Sequence, residues 1–149
     1  QQKNPMTILY LASPYSHTSA LRRNDRVEQA SIVAGYFMQL GFTIYSPITH
    51  GHRIAGTLPQ SLKDSHEFWM SQCLPILGLS DALLLLPLHG WRESQGLQRE
   101  LAYCKENRIP VFLLNNPDYF AFDSTLCDFP SDAEIKSSGW SLTEALPFT

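Results

Sequence analysis

Apolar positions fall into short clusters along the chain, and the spacing within each cluster decides between strand and helix. Met6 to Ala12 (MTILYLA) is a β-rich apolar run ended by Ser13-Pro14, which predicts a first buried strand followed by a loop. Asn24 or Asp25 is placed to cap the next segment. There Val27, Ala30, Ile32, Val33, Ala34, Phe37, Met38 and Leu40 recur at helical spacing until Gly41 stops them. Phe42 to Ser46 (FTIYS), closed by Pro47, predicts a second strand, so the opening half reads as a βαβ unit with a parallel, right-handed crossover.

His50 to Lys63 holds two glycines and a proline and has no apolar period, which predicts a functional loop. A second helix is expected from Asp64 or Ser65, with Phe68, Trp69, Cys73, Ile76 and Leu77 recurring and Pro75 kinking or dividing it. Ala82 to Leu86 (ALLLL) is apolar on both faces, as a central parallel strand requires. After a loop at Gly90, Ser94 to Asn107 reads as a helix with Leu97, Leu101, Ala102 and Cys104 inward, and Ile109 to Leu114 as a last strand. Strands alternating with helices predict an α/β fold: a doubly wound, flavodoxin-like (Rossmann-like) parallel sheet with helices on both faces. Ligands of such sheets sit beyond the carboxyl ends of the strands. The expected organisation is a single domain over 1–149, with a core at 6–114 and an irregular extension at 115–149 holding one or two short helices.

Composition narrows the function classes. A net charge of -3 with scattered basic residues gives no footprint for a nucleic-acid backbone, so a polymer substrate is not expected. The longest apolar run is far shorter than the ~20 residues of a membrane-spanning helix, and Gln1 to Pro5 is polar, so a cytoplasmic protein without membrane association is expected. Cys73, Cys104 and Cys127 have neither paired spacing nor a nearby ligand set; reduced thiols, no metal and no cofactor are the expectation.

Three loops at carboxyl ends of strands carry the candidate chemistry: Ser13 to His17, Pro47 to His52, and Pro87 to Gly96. In the last, Gly90-Trp91-Arg92-Glu93-Ser94-x-Gly96 leads into a helix, where free N–H groups and the Ser94 hydroxyl suit an anion such as phosphate. Glu100 follows Gly96 by four residues and so shares its helical face, with the small Gly96 leaving room for a ligand. A glutamate in the first turns of a helix is also an ordinary solvated residue favoured by the dipole.

The segments ILYLASPYSH, the helix ending in a glycine before FTIYSP, SDALLLLPLHGW and SQGLQRELAYCKENRIPVFLL resemble, in that order, the nucleoside 2-deoxyribosyltransferase-like superfamily. The resemblance spans Ile8 to Leu114 and is greatest to small uncharacterised bacterial and phage members; 2'-deoxynucleoside 5'-monophosphate N-hydrolases are relatives. It implies that Glu100 attacks or stabilises C1' of the sugar, that Ser94 and Gly96 lie near the 5' end, and that Asp81 matches the superfamily's aspartate at the start of the central strand. A turn or capping role is the plain alternative for Asp81. A serine rather than an acid at Ser94 favours a 5'-phosphate, to which Arg92 adds charge. His50 is placed to protonate the leaving base, Tyr15 and Ser16 to cover the base or touch phosphate, and Trp91 to stack on the base. The superfamily's acid on the preceding helix is absent, the stretch reading Ser71-Gln72-Cys73. The expected activity is hydrolysis of the N-glycosidic bond of a nucleoside 5'-monophosphate. Base exchange between nucleosides and a non-catalytic nucleotide sensor stand as alternatives, and a homodimer or larger assembly is implied.

Overall fold

Four short runs, three of them mainly aliphatic, pair into one sheet in a computed structural model of the chain, which describes residues 7–114 and 131–138. They are β1 (Ile8–Ala12), β2 (Thr43–Tyr45), β3 (Ala82–Leu85) and β4 (Val111–Leu113), all parallel, in the order β2-β1-β3-β4. The register sets Tyr10 opposite Tyr45 on one side and Leu83 on the other. This is the flavodoxin-like α/β fold expected from the sequence. Its chain reverses direction of travel across the sheet between β1 and β3, so a crevice opens beyond their carboxyl ends.

Alternation along β1 and β3 divides the core in two. Leu9, Leu11, Leu84 and Leu86 pack against Ala30, Val33, Ala34 and Phe37 of α1 (Ala20–Gln39) and Ile48 of α2 (Pro47–Ala55). Tyr10, Ala12, Leu83 and Leu85 face α4 (His66–Gly78) and α5 (Gln95–Asn107) on the other side. The four leucines at 83–86 are wholly buried, each worth about 2 kcal/mol of apolar transfer. A short α3 (Gln60–Lys63) precedes α4, and α6 (Asp132–Ser138) lies in the C-terminal extension.

Several boundaries differ from the sequence reading. Helix α1 starts not at Asn24 or Asp25 but at Ser19, whose hydroxyl accepts from Arg22 N–H at 3.4 Å. Its first two turns are polar and mostly exposed, so the apolar period begins only where the helix meets the sheet. The expected loop from His50 is largely helical. Ser46 caps α2 with Pro47 in its first turn, and Gly51 is a packing glycine, because a Cβ there would lie 3.2 Å from the Trp69 ring. Pro75 sits inside α4 without dividing it. Ala102 is exposed, and the inward place on α5 belongs to Glu100 instead. The strands are shorter than expected, β2 by a residue at each end. Met6, Cys127 and the extension aromatics Tyr119, Phe120, Phe122, Phe129, Trp140 and Phe148 lie outside the described residues. Among the described residues no helix is long and apolar enough to cross a membrane.

Candidate active site

Glu100 projects from the second turn of α5 into the core and is only 4% exposed. An ionisable side chain at that depth needs a partner. Tyr10 of β1 supplies it, its hydroxyl donating a short hydrogen bond to Glu100 Oε2. Burial pushes the Glu100 carboxyl up to about 7, a rise that the Tyr10 hydrogen bond restrains. Burial, and next the charge of Glu100, drive the Tyr10 hydroxyl far above its ordinary value. The Cys73 thiol of α4 lies against the same pair and is raised to about 11, mainly by burial and then by Glu100. Cys73 therefore occupies part of the space beside the carboxyl.

The pair continues outward through aromatic rings. Tyr45 of β2 lies 5.7 Å from the Tyr10 ring, and His50 of α2 lies 5.6 Å from Tyr45, between ring centroids. His50 is exposed, whereas Tyr45 is half-buried and raised to about 12 by burial. Tyr15 is engaged separately, its hydroxyl 2.7 Å from His52 Nδ1. Ser13, at the carboxyl end of β1, is 5% exposed, and its Oγ has no hydrogen-bond partner.

A cleft of about 320 Å³ opens between the loops after β1 and β3, lined by Ser16, His17, Arg22, Arg26, His89, Gly90, Glu93 and Ser94. It lies where the fold places its crevice. Arg26 ties the two rims together, donating to Ser16 O and His89 O at 2.8 Å each. Burial, and next the neighbouring Arg22, lower the Arg26 pKa. Ser94 is the N-cap of α5, its Oγ accepting from Leu97 N–H at 3.2 Å. Two guanidiniums, two imidazoles and a helix N-terminus against one carboxylate, Glu93, give the cleft a surplus of basic and N–H groups.

Gly90 shapes that rim. Its φ is 89°, in the left-handed region, and a Cβ there would stand 2.9 Å from Arg26 Nη2. Gly90→Ala is expected to cost about 1–2 kcal/mol of unfolding free energy. It also displaces the Arg26 tie. Denaturant unfolding of the variant checks the first effect, and an unchanged midpoint would contradict it.

Of the residues singled out from sequence, Ser16 and Ser94 meet in the cleft, while Glu100, Tyr15 and His50 lie outside its lining. Gly96 faces α4, where a Cβ would be in ordinary van der Waals contact with Met70 Cε at 3.6 Å, and it does not line the cleft. Trp91 is 4% exposed and packed in the core, which removes it as a stacking platform. Arg92 does not line the cleft either; its guanidinium is held by Glu134 and lies over the Trp91 ring. Asp81 is corrected as a catalytic residue. Exposed at the amino end of β3, its carboxylate accepts from Ile8 N–H at 2.6 Å, which is the capping role. The sequence reading missed Tyr10, His17, Arg22, Arg26 and His89. Arg22 and Arg26 stand four apart, one helical turn, and would have been recognised had the helix start been placed at Ser19.

No curated protein matches the chain. The family described as DUF1937, a domain of unknown function, matches residues 7–116, which take in the whole sheet, the cleft and Glu100, and the chain belongs to that family.

Proposed function

We propose that the protein hydrolyses the N-glycosidic bond of a nucleoside 5'-monophosphate, with the phosphate in the cationic cleft and Glu100 directed at C1' of the sugar. The observation that supports this reading is the pairing, on one helix, of a cleft rich in basic groups at its cap and a buried carboxyl raised to about 7 in its second turn. Ser94 and Glu100 are separated by about 9 Å of helical rise. That span accommodates a sugar 5-phosphate with its anomeric carbon toward the carboxylate. The sequence resemblance to the deoxyribosyltransferase-like superfamily supports the same assignment of Glu100. A homodimer or larger assembly and a cytoplasmic setting belong to this reading.

In the proposed reaction ionised Glu100 attacks C1', the C1'–N bond breaks, and its electron pair leaves with the base, which takes up a proton. His50, exposed beside Tyr45, is the candidate donor of that proton. Water then attacks C1', giving a proton to the now neutral His50; the C1'–O bond to Glu100 breaks, which returns the carboxylate and yields sugar 5-phosphate. Tyr10 holds the carboxyl in place and has to yield one hydrogen bond as the sugar arrives.

The test is incubation with a panel of ribo- and deoxynucleoside 5'-monophosphates and the matching nucleosides, with chromatographic detection of free base. A monophosphate is expected to react faster than its nucleoside. In Arg22→Ala that preference falls about tenfold, through KM, and the loss shrinks as salt is added. No base from any member, with a folded protein, rejects the proposal. A second reading, a nucleotide sensor without turnover, is favoured by the low exposure of Glu100 and its absence from the cleft lining. Thermal stabilisation by a nucleotide without product would select it.

A further inference from the structure

The turn Trp91–Glu93, which leads into the Ser94 cap, is contacted from outside the matched family region by α6. Arg92 Nε and Nη2 donate to Glu134 Oε2 and Oε1 at 3.1 and 3.0 Å, a two-pronged contact. The same Glu134 is held in its own helix start, its Oε1 accepting from Ser131 N–H at 2.9 Å while Ser131 Oγ accepts from Glu134 N–H at 3.2 Å. This reciprocal capping fixes the carboxylate before it meets Arg92. On its inner side α6 buries Ile135, 3% exposed, in the apolar cluster that contains Trp91, Leu97 and Leu113. Trp91 in turn governs the cap: its carbonyl accepts from Ser94 N–H at 3.2 Å and from Gln98 Nε2 at 3.3 Å.

We infer that α6 is a strap over this turn, with Glu134 and Ile135 as positioning residues that hold Ser94 where the cleft requires it. Neither residue lines the cleft, so their influence on a bound anion passes through Arg92 and Trp91. The anion's identity as a nucleotide phosphate rests on the function proposed above; the strap itself does not.

Amide hydrogen exchange on the 149-residue chain decides it. In Ile135→Ala, amides of residues 91–97 are expected to exchange about tenfold faster or more, with β1 and β4 unchanged. Glu134→Arg has the same effect more weakly, and adding Arg92→Glu to it restores at least half of the protection, which loss of packing alone would not allow. Titration with inorganic phosphate, read by calorimetry, is expected to show at least fivefold weaker binding in both single variants. Exchange at 91–97 like that of the parent chain, or a rise spread equally over β1 and β4, overturns the strap. Failure of the parent chain to bind phosphate would count against the proposed substrate class, with the exchange comparison still deciding the strap.

Discussion

Glu100→Gln is expected to lower release of base from the preferred nucleoside 5'-monophosphate by about a thousandfold or more, with little change in phosphate affinity. The carboxamide keeps the size of the side chain and can still accept from Tyr10, so the core around α5 stays filled. In the proposed reaction it removes the negative charge that would face developing positive charge at C1', and with it the nucleophile. Because the cleft contacts come from Ser94, His17 and the two arginines, the loss falls on kcat and not on binding. In the parent chain kcat/KM is expected to rise with pH through about 7, as the buried carboxyl ionises. Release of base undiminished in the variant would remove Glu100 from the chemistry.

The second large effect is on stability and has a definite sign. Burial raises the Glu100 carboxyl from 4.5 to about 7, so the folded chain keeps a proton that the unfolded chain gives up. Below pH 4.5 both states hold that proton and the site contributes nothing. As pH rises toward 7 the unfolded state gains from ionisation first, and the folded state loses about 3 kcal/mol in relative terms by pH 8. Glu100→Gln has no such titration. Denaturant unfolding at pH 5 and pH 8.5 should therefore show the parent chain losing about 2–3 kcal/mol more than the variant between the two conditions, the first part of the loss being already present at pH 5. Parallel changes in both would mean that Glu100 ionises freely in the fold.

The sheet could be read from the sequence because β1, β3 and β4 are clusters of apolar residues bounded by turn residues, β2 (TIY) lies between Gly41 and Ser46-Pro47, and ALLLL fits a central place. Helix starts were read less well. At α1 the two turns from Ala20 carry Arg22, Arg23, Asn24, Asp25 and Arg26, which reach toward solvent and the cleft, so the functional residues themselves erased the apolar period. At α2 the glycine and histidines of PITHGHRIA resemble loop composition, although Ser46-Pro47 is a helix-start signature. Ser94 and Glu100 were within reach because local spacing along one helix relates them. Tyr10 was not, since its bond to Glu100 joins residues 90 apart in sequence and depends on the face β1 turns toward α5. Trp91 and Arg92 were assigned to the ligand on residue type and Asp81 to catalysis on the resemblance, and the fold engages each of them: in the core, with Glu134, and with the Ile8 amide.

Arg26 bears on how the crevice pays the entropic cost of recognition. One guanidinium spans the carbonyls of Ser16 and His89, so the separation of the two rims is fixed by a rigid planar group before any ligand arrives. Little ordering is left for an anion to impose, and binding to such a preorganised receptor should vary little with ligand flexibility outside the phosphate. On the proposed reading, discrimination among nucleotides would fall to the rings of Tyr45 and His50. Relatives that differ in base preference would be expected to diverge around α2 while keeping an arginine bridge between the first and third strand loops.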